Sequence, residues 1–289
     1  MDKARLERIE NWMRGYREAG RYSGSSLLVY RHGEEAFFAA DGLASLARGQ
    51  AYERDTDALM TRTKNRPVAA GRVAPAAANR LGIVLGVLGV GMLAAYGLLL
   101  AAALCAFTIV SYAWVYTPMK RTSSLALIVG AVPGAMPPMI GYAAATATPS
   151  LFGTAGLSSA GTLGHAAWLL FAIMFVWQIP HFLAIAWLYR DEYAKANLAM
   201  LPVIDPTGTR TFRQTLIGCL LMLPIGLLPT ALDVSGLAYF YVALACGLGF
   251  LAFAVALVAK PTRVNARRLF FASLVYLPVV MAAMLIDRA

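Results

Sequence analysis

From residue 76 onward the chain is a succession of long apolar runs parted by short polar joints. Seven windows reach the roughly 20 mostly apolar residues needed to cross a bilayer: 76–95, 98–117, 124–145, 164–188, 211–230, 236–259 and 267–286. Each predicts a membrane helix. Only a tight turn at Tyr96-Gly97 parts the first two, and the fourth runs straight into the polar stretch YRDEYAK. Upstream the pattern changes. Leu6, Ile9, Trp12, Met13 and Tyr16 recur at helical spacing on one face. SSLLVYRHGEEAFFAADG then reads as two short strands around a turn at His32-Gly33. A helix and one hairpin bury little core of their own. The expectation is an all-α membrane protein, a bundle of seven transmembrane helices around a central cavity (residues 56–289), preceded by a small α+β extension (residues 1–55).

Composition sharpens the division. The chain of 289 residues is 59% hydrophobic and 14% charged, against about 25% charged in soluble domains. Residues 1–55 hold nine Lys/Arg and nine Asp/Glu, whereas residues 56–289 hold sixteen basic and six acidic residues and so the whole +10 excess. Fifteen of those sixteen cations fall in alternate joints, all on one side of the predicted bundle, and only Arg288 falls on the other. The positive-inside rule makes the charged loops, and the N-terminal segment with them, cytoplasmic. The N-terminus is charged and lacks the apolar stretch of a signal peptide. Cys105, Cys219 and Cys246 lie scattered in apolar runs, which indicates packing residues and no disulfide framework or zinc site.

Carboxylates near the membrane gather at two places on the cytoplasmic side. One is ERDTDALMTRTKNRPVAAGRV, residues 53–73, with Glu53, Asp55 and Asp57; the other is Asp191 and Glu192, with Asp205 further on. Glu53 and Asp57 are four apart and share a helical face, where like charges repel unless a cation sits between them. Magnesium is held by one or two carboxylates together with substrate phosphates. Arg62, Lys64, Arg66 and Arg72 beside them suit phosphate oxygens, as do Lys120 and Arg121 in the next charged joint. Metal-binding acids and phosphate-binding cations at the mouth of an apolar bundle suggest a lipid diphosphate, although topology alone also places basic residues there. His181, after Pro180 in FVWQIPHFLAIAW, is an ionisable group inside a membrane helix. Such groups face the bundle interior; it is either a substrate contact or a neutral histidine bonded to a neighbouring helix. His165 lies nearer the far interface and reads as structural, and His32 as solvated. The Gly/Pro-rich VGAVPGAMPPMIGY, residues 129–142, reads as a cavity wall or as a close helix–helix contact.

In order along the chain, DTDALMTRTKNRPVAAGRV, YTPMKRTS, GAVPGAMPPMIGY, WQIPHFLAIAWLYRDEYAKANLAMLPV and ARRLFFASLVYLP resemble the heme O synthases. These protoheme IX farnesyltransferases belong to the intramembrane aromatic prenyltransferase superfamily. The resemblance runs from about Glu53 to the C-terminus and implies a bacterial inner (plasma) membrane enzyme. Its substrates would be farnesyl diphosphate and heme b, with Mg2+ as cofactor. Beyond these and the lipid bilayer it implies heme A synthase as the downstream partner, and no nucleic acid. It puts the first acidic motif on Glu53 and Asp57 and the second on Asp191, with Tyr193 and Lys195 beside it, so that Asp57, Asp191 and Lys195 serve catalysis and Glu53, Asp57 and Asp191 the metal. Arg62, Arg66 and Arg72 match basic positions of the family's first loop, and His181 its intramembrane histidine. Another intramembrane prenyltransferase, or an inactive synthase, is the alternative.

Two departures accompany the resemblance. The family has nine membrane helices against the seven counted, and Gly49 stands where its first motif begins with asparagine. The preceding segment, WMRGYREAGRYSGSSLLVYRHGEEAFFAADGLASLARGQAYERDT, instead resembles the opening of a class C β-lactamase-like serine hydrolase. No SxxK nucleophile follows, since Thr61 and Lys64 give TRTK. The expectation is therefore a chimera, a hydrolase fragment joined near residue 55 to a synthase truncated from nine helices.

Overall fold

The computed structural model describes residues 24–31 and 34–42 (backbone course only), 54–146 and 164–288. The helix expected before residue 20, the turn at His32-Gly33 and Glu53 lie outside the described residues. Strands β1 (Gly24–Arg31) and β2 (Glu34–Gly42) pair antiparallel, Gly24 opposite Gly42, with a register shift between Val29 and Tyr30. The expected hairpin is therefore present.

A short helix, α1 (Arg54–Leu59), leads into the bundle. Among the described residues seven helices are long and apolar enough to cross a membrane: α2 (Pro75–Ala95), α3 (Leu99–Met119), α4 (Ala126–Thr146), α5 (His165–Leu188), α8 (Thr209–Ala231), α9 (Leu237–Ala259) and α10 (Arg263–Ile286). Two short helices, α6 (Arg190–Lys195) and α7 (Leu201–Ile204), fill the loop between α5 and α8. All seven apolar windows are helices, and the multi-pass membrane bundle they form is all-α.

Local chemistry sets the helix limits. Pro75 opens α2 at the first turn, where its missing N–H costs nothing. Gly97, at φ +76°, makes the tight turn into α3. Thr262 caps α10 by accepting the Asn265 N–H at 3.2 Å. At the end of the bundle away from the basic loops, Asp287 accepts the Tyr239 N–H at 2.7 Å and so caps the start of α9 with the last residues of α10.

The main core lies among α5, α8, α9 and α10, around Ile173, Cys219, Met222, Tyr239, Phe250, Leu269 and Val280. A second core joins α3, α4 and α5 through Leu104, Met139 and Ala167. Helix α5 belongs to both and is the most buried span. Helix α2 packs on α3 and, through Ala78 and Leu81, on Val68 and Val73 of the preceding loop, and presents Ile83, Val87 and Leu88 outward. The Gly/Pro-rich stretch breaks α4 at Met136. There Gln178 of α5 donates to the Ala131 carbonyl at 2.9 Å, with its side-chain oxygen against Gly134. The glycine admits this close approach, so the helix-contact reading of that stretch holds at this point.

Candidate functional site

After α1 the chain descends through linked turns. The Thr63 hydroxyl donates to the Asp57 carbonyl at 2.9 Å, the Lys64 N–H to Met60, and the Ala70 N–H to Arg66. Gly71, at φ +75°, completes the reversal, and Arg72 donates to the Asn65 carbonyl at 2.7 Å. These turns bury Asp57, 3% exposed, and bring Arg66 to 2.9 Å from its carboxylate. An unpaired buried carboxylate is costly, so the pair explains why Asp57 tolerates its position. Arg62 and Lys64 remain exposed.

This first loop packs on the second charged loop. Met60 is buried together with Ala196 and Leu198, with Tyr193 and Met200 against them. Arg62 stands 5.0 Å from the Tyr189 ring centroid, a cation–π contact, and hydrogen-bonds Tyr193. Glu192 points into the same junction. Burial pushes its pKa up, but bonds from the Thr61 hydroxyl and from the Arg62 and Thr61 backbone, with Lys195 nearby, outweigh this and hold it below its ordinary value. Its Oε2 is buried without a hydrogen-bond partner.

Asp191 is 60% exposed and accepts Arg263 of α10 at 2.7 Å, with Arg190 at 3.7 Å. The carboxylate turned toward the first loop is its neighbour, Glu192. Adjacent residues cannot share one helical face, and Tyr189, Glu192, Tyr193 and Ala196 form the inner stripe at i, i+3, i+4 and i+7.

Lys120, after α3, is buried, and its carbonyl accepts the Ala199 N–H at 3.1 Å, tying this joint to the second loop. Burial, with Arg121 adjacent, pushes its pKa down from 10.5 to about 8. Arg121 and Lys195 are exposed. Asp205 is structural: it accepts the Thr211 N–H at 2.9 Å and the Thr211 hydroxyl at 3.1 Å, below the start of α8.

His181 lies deeper, in the α5–α10 contact. Its Nδ1 is 2.7 Å from the Ser273 hydroxyl, which itself donates to the Phe270 carbonyl at 2.6 Å. With that single hydrogen committed, Nδ1 carries the proton and donates, and Nε2 keeps its lone pair. The ring stacks on Trp177, 4.6 Å between centroids. Eleven residues separate His181 from Glu192, about 16 Å of helix rise. The structure thus bonds His181 to a neighbouring helix and does not bring it to the acidic junction. An open groove of about 300 Å3 lined by Pro224, Leu227, Phe240 and Tyr241 lies at the opposite ends of α8 and α9, away from all these residues.

No three His, Cys, Asp or Glu side chains among the described residues form a ready metal cluster. The donor set present, carboxylate oxygens with one buried Oε2 unsatisfied, nevertheless suits a hard divalent cation whose remaining ligands come from a substrate.

A polytopic helical bundle whose two charged loops pack together around buried Asp57 and half-buried Glu192 has the build of an intramembrane enzyme. The chain belongs to the UbiA prenyltransferase family, whose model matches residues 37–275. It is 43% identical over 249 residues to a protoheme IX farnesyltransferase of Solibacter usitatus, covering 86% of this chain and 80% of that one. It is 41% identical over 251 residues to the protein of the same name in Opitutus terrae, with the same coverage. In fold it is similar to a solved structure described as a digeranylgeranylglyceryl phosphate synthase, with a TM-score of 0.61 at 16% identity, covering 83% of this chain and 79% of that one.

Proposed function

We propose that the protein transfers the farnesyl group of farnesyl diphosphate to a vinyl group of heme b, yielding heme O. The observation that carries the site assignment is the packing of the two charged loops, with buried Asp57 on one and the unsatisfied Oε2 of Glu192 on the other. The substrates are supported by the relatives of 43% and 41% identity, whose names state the reaction.

In this reading Asp57 and Glu192 would hold Mg2+, and Glu53 belongs to the same group. Asp191, exposed and paired with Arg263, holds its loop against α10. Mg2+, when bound, offsets the negative charge that builds on departing pyrophosphate. Arg62, Lys64, Arg66, Arg72, Lys120, Arg121 and Lys195 supply the cations. Charge placed in advance where charge develops lowers such a barrier. The C1–O bond of farnesyl diphosphate breaks and pyrophosphate leaves. C1 bonds the terminal vinyl carbon of heme b, and water adds to the inner carbon and loses a proton. Atoms balance as farnesyl diphosphate, heme b and water going to heme O and pyrophosphate. Arg62, braced on Tyr189 and Tyr193, orients the head group. His181 and its Nε2 lone pair form the heme-side contact in the apolar interior.

The loops face the cytoplasm of a bacterial cell, the bilayer is its inner membrane, and heme A synthase receives the product. The serine-hydrolase-like origin read for residues 1–55 applies ahead of residue 37, where the family match begins. Proteoliposomes given heme b, farnesyl diphosphate and Mg2+ are expected to release pyrophosphate and form heme O, identified by mass. Pyrophosphate release with quinone or chlorophyll-type acceptors, and none with heme b, would reject the assignment.

A further inference from the structure

Two aromatic residues of α5 are tied to one residue of α10. The Ser273 hydroxyl accepts the His181 Nδ1–H at 2.7 Å, and the Ser273 carbonyl accepts the Trp177 Nε1–H at 2.8 Å. Trp177 and His181 are four apart on one helix face, and their rings stack with 21° between the planes. Ser273 is fully buried, and its own hydrogen goes to the Phe270 carbonyl. Toward His181 the hydroxyl is therefore an acceptor only. Its bond fixes the tautomer and the rotation of the imidazole. The indole, held by the same residue, fixes the plane.

Held in this way, His181 has one unused atom. Among the described residues the buried side-chain polar atoms without a partner are Glu192 Oε2, Ser235 Oγ and Tyr276 OH. His181 Nε2 makes no hydrogen bond and is not among them, so the 7% of this residue left exposed includes that nitrogen. Phe182, 43% exposed, stands edge-on to the ring at 5.2 Å. It lies seven residues before Tyr189, two turns away on the same face of α5, and Tyr189 carries Arg62 at the mouth. The exposed surface beside His181 thus lies beneath the charged loops, about 12 Å of helix rise below Tyr189.

A neutral imidazole with Nδ1–H on an oxygen acceptor and a bare Nε2 has the arrangement of a metal-ligating histidine, because the second bond fixes the tautomer and makes the ligating nitrogen more basic. Among the described residues no group of three His, Cys, Asp or Glu side chains could hold an ion there. An iron already held by a macrocycle needs only one protein ligand, and Trp177, Phe182 and Phe270 around the imidazole are apolar faces suited to a porphyrin.

We propose that Ser273 is a positioning residue for the acceptor substrate: it holds His181 in the Nδ1–H tautomer and Trp177 against its ring, so that Nε2 binds the iron of heme b as an axial ligand. This rests on the reading of heme b as the acceptor. Ligation fixes the depth of the macrocycle, and with it whether a vinyl group meets C1 of the farnesyl diphosphate at the mouth.

The test uses the full chain in lipid nanodiscs, with heme b and metal-free protoporphyrin IX as probes. The readouts are the affinity for each porphyrin and the iron–histidine stretching band of the ferrous heme complex in resonance Raman spectra. Wild type is expected to show the band. His181→Ala should lose it and bind heme b at least about tenfold more weakly, with protoporphyrin IX, which offers no iron, little changed. Ser273→Ala leaves Nδ1 without its acceptor. It should weaken heme b by about 10- to 100-fold, the usual cost of removing such a partner, and move the band to lower frequency as Nε2 becomes less basic. Ser273→Thr keeps the hydroxyl and should restore both. If His181→Ala does not fold, the two porphyrins on Ser273→Ala decide. Wild-type heme affinity and band position in Ser273→Ala would overturn the proposal, as would an equal loss of both porphyrins, which marks packing alone. Tight heme binding by the wild type without the band would overturn iron ligation and leave heme b as the acceptor. Binding of neither porphyrin would refute the acceptor reading itself, and this proposal with it.

Discussion

The Arg66 guanidinium lies 2.9 Å from the Asp57 carboxylate, and the pair fastens the first loop, with its acid buried and its cation partly exposed. Removing Arg66 strands a buried charge. Arg66→Ala should therefore destabilise the protein by about 2 kcal/mol, the range for hydrogen bonds to charged groups. Arg66→Lys should recover part of this, since lysine keeps the charge and loses the planar fork. Thermal unfolding in detergent measures both. Equal melting temperatures for Arg66→Ala and wild type would mean that the pair does not hold the loop.

Of the two adjacent acids after α5, Glu192 is expected to matter for turnover. Its Oε2 is buried and unsatisfied, whereas Asp191 is solvent-exposed on Arg263. Glu192→Gln keeps the shape and removes the charge, so heme O formation should fall at least 100-fold, roughly 2.7 kcal/mol of barrier. Asp191→Asn should cost less than fivefold, because an exposed ion pair contributes about 1 kcal/mol or less. The reverse ranking, read from rates at saturating Mg2+, would restore Asp191 to the metal site.

The seven spans and the positions of the charged loops were legible because bilayer length and apolar composition leave few alternatives. The junction of loops around Asp57 was also legible as a gathering of acids and bases. Its wiring was not. Whether Asp191 or Glu192 turns inward depends on the phase of a six-residue helix, visible only once Tyr189, Tyr193 and Ala196 are taken as its inner stripe. Lys120 was found as a cation, but no apolar pattern announces its burial. His181 left two readings open, and only the partner across the helix contact, Ser273, shows what Nδ1 is bonded to.

Lys120 predicts a pH limit on substrate binding. Its pKa of about 8 means that the free site loses its cation above that pH. Affinity for farnesyl diphosphate should fall as pH rises through 8, by up to tenfold per unit, since each unit of deprotonation costs about 1.4 kcal/mol. Lys120→Arg stays charged and should flatten this limb at the cost of fit. The same depressed value makes Lys120's contribution to fold stability rise between about pH 8 and 10.5, where the unfolded chain holds a proton that the folded one has released. A binding curve flat from pH 7 to 10 in the wild type would show that Lys120 does not contact the head group.

Asp205 supplies the acid-side counterpart, and it bears on the fold alone. Burial pushes its pKa up, but donation from the Thr211 backbone and hydroxyl and from the Thr207 hydroxyl outweighs this, so the folded value lies below the usual 3.8. A carboxylate with a depressed folded pKa contributes stability that is fully present above its unfolded pKa. The contribution disappears as pH falls through the folded value, because the unfolded chain takes up the proton first. The wild type should therefore lose stability steadily below about pH 4. Asp205→Asn should start lower by about 1–3 kcal/mol, having exchanged a charged acceptor for a neutral one, and should lose less on acidification. Because the hydrogen bonds of Asp205 go to Thr207 and to Thr211 at the start of α8, the variant should keep the wild-type affinity for Mg2+-pyrophosphate at pH 7. Melting temperatures across pH 3–7, paired with that affinity, separate the two roles. A variant with the wild-type acid slope would show that the Thr211 bonds do not set the protonation of Asp205.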